Sequence, residues 1–240
     1  MKNGNKTWLP GVHAAPNIQN APDVYEIENE ATDPDGAIEK TMKSIASWRD
    51  RIVLDLGAGT GFHIPLFHEL ARHVIAVEPY EPSRLLAMAR VTKMGLKKAS
   101  VMTGSAERLL LADSSVDIVH ARFVYFWGPG CERGLTELER VIRPGGTAFI
   151  IDNDDQHGKF SLWIRCSPNY RSRDMNTLGQ FWREHGFDRQ RVMGELRFKA
   201  RGDFEAVIRN EFPPELAEEI LAEHHSLTVD YGYYIYYRTY

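Results

Sequence analysis

The stretch Arg51–Phe62 constrains the fold of this chain more than any other segment. An apolar, β-branched run at Ile52–Leu54 leads through Asp55 into Gly57–Gly61, a turn in which every second residue is glycine. Glycine adopts backbone angles that other residues avoid and lets a ligand come close to the main chain. We therefore predict a strand, a tight turn and a helix that begins near Phe62, an arrangement that binds a nucleotide at the carboxyl edge of a parallel sheet.

Length and composition agree with one soluble α/β domain. The chain has 240 residues, of which 43% are apolar and 26% charged, and this length can bury a substantial core. The net charge of −4 gives no general attraction to nucleic acid or to an anionic membrane. The two cysteines and the adjacent His224 and His225 lack the spacing of a metal site. With no signal segment and no long apolar run, we expect a cytoplasmic protein with no metal, nucleic-acid or membrane partner.

The sequence predicts an N-terminal arm at residues 1–33 and a single domain at residues 34–240. The arm is rich in Asn, Pro and Ala and shows no clear period, so we expect it to be mostly irregular, with order centred on Tyr25. Asp33–Asp35 predicts the start of the first helix, because it offers an acidic cap followed by a proline at the first helical position.

From Arg51 onward, strand-like and helix-like patterns alternate, which is typical of a parallel sheet with crossover helices. Further strands are expected at His73–Glu78, Ala99–Thr103, Val116–Ala121, Thr147–Ile151, Arg189–Lys199 and Val229–Tyr240. Helices are expected at Glu81–Met94, at Gly134–Ile142 with a stop at Arg143–Gly146, at Met175–Gly186, and as a pair within residues 201–226. Asp152–Ser167 is polar and is expected to be irregular.

Two acidic residues and one aromatic residue narrow the choice of ligand. Phe62 stands where the dinucleotide fingerprint requires glycine, so NAD or FAD is disfavoured. Glu78 ends the second predicted strand, where a carboxylate can accept hydrogen bonds from both ribose hydroxyls of an adenosine. Two plainer interpretations stay open: Asp55 as a cap of the turn, and Glu78 as a surface carboxylate.

Four motifs, in this order and spacing, resemble the signature motifs of class I S-adenosylmethionine-dependent methyltransferases across roughly Tyr25–Asn153. They are Asp55–Gly61, Val77–Pro79, Gly104–Glu107 and Arg143–Gly146. The resemblance implies S-adenosylmethionine as methyl donor and S-adenosylhomocysteine as product. It also implies a Rossmann-like, doubly wound α/β fold with helices on both faces of a seven-stranded, mostly parallel sheet in the order 3-2-1-4-5-7-6, the last strand being antiparallel. The helices at 201–226 are then an insertion that would cap the substrate site or support a homodimer.

The resemblance further implies which residues contact the cofactor. The glycine turn would wrap the methionine and ribose parts, Glu78 would hold the ribose diol, and the segment after the third strand would flank the adenine. The implied residues are Asp55, Gly57, Ala58, Gly59, Gly61, Glu78, Pro79, Ser105, Ala106, Glu107, Ala121 and Tyr25. Many relatives have aspartate at the position of Ser105 to bond the adenine amino group, so Ser105 or a nearby backbone group would have to replace it.

The acceptor side is less defined. The pocket would open at the carboxyl ends of strands four and five, where Phe123–Trp127 either walls the substrate or packs in the core. His157 is the first candidate for a catalytic base and Tyr125 is the second. His120 lies inside a strand and is expected to be a satisfied core histidine. Arg122 would either grip an acidic acceptor or form a structural salt bridge.

Three functions stay open at the level of the sequence. The first is a methyltransferase that acts on a small-molecule acceptor through O, N, C or S. The second is an NAD(P)-linked oxidoreductase, with Phe62 as the main objection. The third is a nucleoside-binding relative that has lost catalysis and serves as a regulatory subunit.

Overall fold

A computed structural model describes residues 12–167 and 174–240 of the chain. It begins with helices α1 (Pro16–Asn20) and α2 (Pro22–Ala31). The expectation of a mostly irregular arm is therefore wrong for residues 16–31. Pro22 lies in the first turn of α2, where the missing proline N–H has no intrahelical partner to lose.

The next helix, α3 (Ala37–Ile45), begins later than predicted, and Pro34 lies before it. Asp33 nevertheless caps its first turn, because the carboxylate accepts the N–H groups of Ala37 at 2.7 Å and of Ile38 at 2.8 Å. The acidic cap was predicted correctly, whereas the helix start was placed a few residues too early.

Strands and helices then alternate as predicted. The elements are β1 (Ile52–Leu56), α4 (Ile64–His68), β2 (His73–Val77), α5 (Glu81–Lys93), β3 (Ala99–Met102), β4 (Val116–Arg122), α6 (Glu132–Val141) and β5 (Ile142–Asn153). The helix expected near Phe62 begins two residues later, at Ile64, after a continuous turn.

Arg143–Gly146 lies inside β5 and is not a separate loop between a helix and a strand. The reason is a partner distant in sequence, the end of the chain. The N–H of Gly145 donates to the carbonyl of Tyr240 at 2.7 Å, and the N–H of Tyr240 donates to the carbonyl of Gly146 at 2.9 Å. This pairing extends the strand through a segment whose glycines and proline predicted a stop.

The C-terminal third contains α7 (Lys159–Cys166), α8 (Met175–Glu184), β6 (Asp188–Arg197), α9 (Arg201–Glu211), α10 (Pro214–Glu223) and β7 (Thr228–Thr239). The expectation of an irregular segment is wrong for α7, in which Phe160 and Trp163 lie on one helix face with ring centroids 6.0 Å apart. The two helices predicted between the last strands are confirmed as α9 and α10.

The sheet has seven strands in the order β3-β2-β1-β4-β5-β7-β6. β1 pairs in parallel with β2 and β4, β2 pairs in parallel with β3, and β6 pairs antiparallel with β7. This order confirms the predicted Rossmann-like α/β fold class. From β1 the strand order runs one way to β2 and β3 and the other way to β4 and β5. Sheets of this kind bind ligands at the carboxyl ends of the strands at such a reversal, and the glycine turn lies there.

The chain forms two compact units, one with described residues 12–15, 48–148 and 239–240, the other with residues 16–47 and described residues of 149–238. Trp48, Leu54 and Phe67 belong to the buried core of the first unit. Phe160, Trp182 and Phe204 belong to that of the second. Within the described ranges, no helix has the length and apolarity needed to cross a membrane. The division into an arm and a single domain stays a prediction.

Candidate functional site

The glycine turn of the first unit is held against the end of β2. The N–H groups of Gly57 and Ala58 both donate to the carbonyl of Val77, at 2.9 and 3.1 Å. Gly57, Gly59 and Gly61 have φ angles of 73°, 55° and 78°. This left-handed conformation costs a residue with a side chain about 1–2 kcal/mol. The backbone of the turn therefore accounts for glycine at all three positions.

Two of these glycines also permit close packing within the protein. A Cβ atom at Gly57 would lie 2.6 Å from Cγ1 of Val124. One at Gly61 would lie 2.9 Å from Cδ1 of Ile64 and 3.0 Å from Cβ of Ala87. The sequence implied that these glycines make room for a cofactor, but on these faces they make room for side chains. Their contacts with a cofactor, like that of Ala58, stay predictions.

Glu78 follows β2 and binds back to the glycine turn. Its Oε2 accepts the N–H of Gly59 at 2.9 Å and its Oε1 accepts the N–H of Tyr80 at 2.7 Å. Burial raises the pKa of Glu78, an effect that the two N–H donors and Arg84 oppose. Each carboxylate oxygen can accept a second hydrogen bond. Ionised Glu78 can therefore hold the turn and still accept hydrogen bonds from a ribose diol, and its contact with the ribose stays a prediction.

Asp55 and His120 are cross-strand neighbours on β1 and β4. Both side chains are buried, and Nδ1 of His120 lies 2.8 Å from Oδ1 of Asp55. An ionised carboxylate only accepts hydrogen bonds, so Nδ1 is the donor. Oδ2 of Asp55 is also buried and has no hydrogen-bond partner among the described residues. A buried oxygen in this position calls for a donor from a ligand or a water molecule, which fits Asp55 as a cofactor contact.

The imidazole of His120 lies beside two other rings, as expected for a histidine of the core. The ring centroid of His63 is 5.1 Å away and that of Phe67 is 5.0 Å away. Burial, and after it the charge of Arg122, lowers the pKa of His63 well below its usual range. His63 is therefore neutral, and its Nε2, 3.2 Å from Nη1 of Arg122, accepts a hydrogen bond from the guanidinium.

His63 is a site residue that the sequence did not single out. The sequence feature that could have indicated it is its position two residues after Gly61, the last glycine of the turn. A search for the glycine pattern alone does not consider that position. Arg122 has a hydrogen-bonding role toward His63 in addition to the two roles considered for it from the sequence.

Ser105 lies in the turn that leaves β3. Its N–H donates to the carbonyl of Arg108 at 3.2 Å, and the N–H of Arg108 donates back at 3.0 Å. The Ser105 hydroxyl is buried and has no hydrogen-bond partner in the part of the chain that the structure describes. Ala106 next to it is buried as well. A hydroxyl can donate or accept, so the Ser105 hydroxyl can bond a ligand that reaches this turn, and its contact with an adenine stays a prediction.

Tyr125 and Glu107 interact directly. The phenol donates to Oε1 of Glu107 at 2.7 Å, and Nη1 of Arg133 lies 3.6 Å from Oε2. Burial, followed by the hydrogen bond to Glu107, raises the pKa of Tyr125 above its usual range. The phenol therefore keeps its proton at neutral pH, which favours Tyr125 as a hydrogen-bond donor and disfavours it as the catalytic base.

The loop after β4 is strained and aromatic. Phe123 and Tyr125 have φ angles of 54° and 35°; such strain costs about 1–3 kcal/mol per residue and is common at ligand sites. Phe126 is buried, whereas Trp127 is 40% exposed. The ring of His13 lies 5.1 Å from that of Trp127. The run Phe123–Trp127 thus contributes both to the core and to the surface.

Two further candidates belong to the second unit. His157 has its Nδ1 3.0 Å from Oδ2 of Asp154, which is fully buried and lies 2.7 Å from Nε of Arg191. A carboxylate that fixes Nδ1 directs proton exchange to Nε2, the arrangement of a histidine base. Tyr25 lies in α2. The base role of His157 and the cofactor role of Tyr25 stay predictions.

The remaining predicted contacts lie at strand ends of the first unit. Ala121 is buried and pairs with Leu56 at the end of β1. Pro79 follows Glu78, and its carbonyl accepts Nη1 of Arg84 at 3.1 Å. Within residues 12–167 and 174–240, no group of three or more His, Cys, Asp or Glu side chains is arranged to hold a metal ion.

Comparison with known proteins connects this geometry to a family. A family model described as a methyltransferase domain matches residues 54–150. An uncharacterized methyltransferase of Mycobacterium tuberculosis is 35% identical over 117 residues, which are 48% of this chain and 44% of that protein. The malonyl-[acyl-carrier protein] O-methyltransferase of Pectobacterium atrosepticum is 36% identical over 122 residues, 50% of this chain and 46% of that protein. The chain thus spans about half the length of these relatives.

The fold is shared with solved structures over a longer stretch. The YcgJ protein of Bacillus subtilis superimposes with a TM-score of 0.63, covering 85% of this chain and 97% of that structure at 16% sequence identity. An identity this low supports a common fold and carries no information on the substrate.

Proposed function

We propose that this chain is a class I S-adenosylmethionine-dependent methyltransferase, which transfers a methyl group from S-adenosylmethionine to a small-molecule acceptor. The observation that carries the proposal is the position of Glu78. A carboxylate at the end of β2 that also binds the N–H of Gly59 couples the glycine turn to a ribose site.

The residues of the first unit fit this cofactor. When bound, it supplies a methyl group that its sulfonium has already activated. Ionised Glu78 would accept the ribose hydroxyls, and Oδ2 of Asp55 and the hydroxyl of Ser105 are buried polar atoms that a ligand can satisfy. The chain has to align the acceptor with the methyl group and keep water out, and alignment of this kind is a large part of catalysis without a covalent intermediate.

For the acceptor we propose a small molecule whose nucleophilic atom is deprotonated, where needed, by His157. Its support is the hydrogen bond from Nδ1 to buried Asp154, which leaves Nε2 to exchange the proton. The malonyl-[acyl-carrier protein] O-methyltransferase of Pectobacterium suggests one acceptor to test, malonyl-[acyl-carrier protein]. The net charge of −4 supports an acceptor that is not a nucleic acid. A cytoplasmic location, no membrane partner and a homodimer complete the proposal.

Titration calorimetry with S-adenosylhomocysteine, S-adenosylmethionine and NADH tests the cofactor. We expect the first two to bind and NADH not to bind. Glu78→Ala should weaken the binding free energy of both ligands by about 1–3 kcal/mol, because charge-assisted hydrogen bonds are lost. Glu81→Ala is the matched control, since that carboxylate is near in sequence and 73% exposed. Thermal unfolding of both variants checks that they remain folded.

Binding of NADH without binding of S-adenosylhomocysteine would identify an oxidoreductase and overturn the proposal. An unchanged dissociation constant in Glu78→Ala would remove Glu78 as the ribose ligand. Turnover is then measured with an acceptor panel that includes malonyl-[acyl-carrier protein], amines, phenols and quinols. Tight cofactor binding without turnover, together with a stable complex with another protein, would favour a regulatory relative without catalysis.

A further inference from the structure

The strongest unexplained group near the proposed cofactor site is His120. It lies on β4, outside the four motifs of the sequence, and is 2% exposed. Its Nδ1–H donates a hydrogen bond to Oδ1 of Asp55, at 2.8 Å.

Three features fix the orientation of the Asp55 carboxylate. The register of β1 and β4 places Asp55 and His120 directly opposite each other. The rings of His63 and Phe67, with centroids 5.1 and 5.0 Å from that of His120, restrict the rotation of its imidazole. Arg122 in turn donates to Nε2 of His63 at 3.2 Å. The hydrogen bond to Oδ1 therefore determines where the other oxygen, Oδ2, points.

Oδ2 is the part of this arrangement that indicates a ligand. It is buried, belongs to a carboxylate that is 2% exposed, and has no hydrogen-bond partner among the described residues. A buried carboxylate oxygen is matched best by a cationic donor. Of the groups in S-adenosylhomocysteine, only the ammonium of the amino-acid part has this character.

We propose that His120 is a positioning residue, which orients Asp55 so that its Oδ2 accepts the ammonium of the amino-acid part of the cofactor. This inference rests on the proposed function. His120 itself touches Asp55 and not the cofactor, so its effect should follow the amino-acid part of the ligand and leave the nucleoside part unaffected.

The experiment compares two ligands by calorimetry: S-adenosylhomocysteine, and methylthioadenosine, which lacks the amino-acid part. We expect His120→Leu to raise the dissociation constant of S-adenosylhomocysteine about tenfold or more, the usual effect of losing a hydrogen bond to a charged group. Its effect on methylthioadenosine should stay within about twofold, which is the scatter expected for a change without a lost contact. Asp55→Asn should show the same selectivity.

Two variants serve as controls. His120→Asn keeps an N–H donor where Nδ1 lies and should restore most of the affinity for S-adenosylhomocysteine. His73→Leu removes a half-buried histidine of β2, whose Nε2 lies 3.0 Å from the Ser100 hydroxyl, and should not change the binding of either ligand. If His120→Leu does not fold, the comparison of His120→Asn with Asp55→Asn on both ligands carries the test.

If His120→Leu weakens the binding of both ligands equally and His120→Asn does not restore it, His120 has a purely structural role and the inference is overturned. Unchanged binding of both ligands would overturn it as well. Either result leaves the proposed function intact, provided that the wild-type protein binds S-adenosylhomocysteine. If the wild-type protein binds neither ligand, the proposed function fails first.

Discussion

At the scale of the residue, Glu78 has one structural role and one proposed binding role. It holds the glycine turn through the N–H of Gly59 and is the proposed ligand of the ribose. Removing its charge should therefore loosen the turn and weaken the binding of the ligand at the same time. Because burial raises its pKa, the pH at which this happens lies above the range of an ordinary glutamate.

The predicted pH dependence follows from that raised pKa. In the proposed site the ionised form of Glu78 would accept two ribose hydroxyls, so affinity should be constant at high pH and should fall as the pH drops through the raised pKa. Below it the loss approaches about tenfold per pH unit, the limit for one proton. Methylthioadenosine is the ligand for this titration, because it carries the ribose and lacks the ionisable amino-acid part.

Two variants interpret the profile. Glu81→Ala should reproduce the wild-type curve. Glu78→Gln should bind weakly with little dependence on pH, since its amide does not ionise. A wild-type affinity that is flat from neutral pH down to the ordinary range of glutamate would contradict the role of Glu78.

At the scale of the element, β1, its turn and α5 form one packed structure. Gly61 lies against Ala87 of α5, and Nε of Arg90 donates to the carbonyl of Thr60 at 3.1 Å. The turn is therefore supported by the helix that follows the next strand. Substitution of Gly61 tests this support when unfolding is measured in the absence of any ligand.

Gly61→Ala should lower the free energy of unfolding by more than a glycine with the same backbone angle but open surroundings. Gly95 provides that control, because its φ is 63° and a Cβ there meets nothing within 4 Å. Gly95→Ala should cost about 1–2 kcal/mol for the left-handed backbone. Gly61→Ala should cost about 1–3 kcal/mol more, because the added methyl group crowds Ile64 and Ala87. Urea unfolding gives both values, and equal losses would contradict the packing role of Gly61.

The same element shows what a sequence can predict. The strands from β1 to β4 were placed to within one or two residues, because a short apolar run between polar turns is a local signal. The extension of β5 over Arg143–Gly146 was missed, because it depends on Tyr240, which is distant in sequence. His63 was missed for the same reason: its partners Arg122 and His120 lie on β4, and no pattern of neighbouring residues brings them together.

At the scale of the whole molecule, the N-terminal helices are joined to the inserted helices within the second unit. Nδ2 of Asn17 in α1 donates to Oε1 of Glu211 in α9 at 2.8 Å, and Glu211 also bonds the carboxyl group of Glu28 in α2. Two carboxyl groups form a hydrogen bond only when one of them is protonated. Burial, as the main cause, raises the pKa of Glu211, an effect that the hydrogen bonds to Asn17 and Glu28 oppose. The junction of three helices therefore holds a proton that the pair of carboxyl groups shares.

Stability should therefore depend on pH at this junction. The folded state binds the proton of Glu211 more tightly than the unfolded chain does. Its contribution is complete below the ordinary range of glutamate and is lost as the pH rises through the raised pKa. Other groups near the junction are Tyr231, whose pKa is raised mainly by burial, and Asp152 and Tyr233, which lie close to that phenol.

Glu211→Gln isolates this proton. The amide accepts from Asn17 and donates to Glu28 at every pH. The free energy of unfolding of the variant should therefore equal that of the wild type near pH 4. At pH 8 it should be higher by about 1 kcal/mol or more, an ordinary size for one buried group. Glu219→Gln changes an exposed carboxylate of α10 and should leave the difference near zero throughout. Urea unfolding across this pH range measures both. A Glu211→Gln variant that is less stable than the wild type at pH 8 would show that Glu211 is ionised in the folded protein, and the junction would then rest on charge instead of on a shared proton.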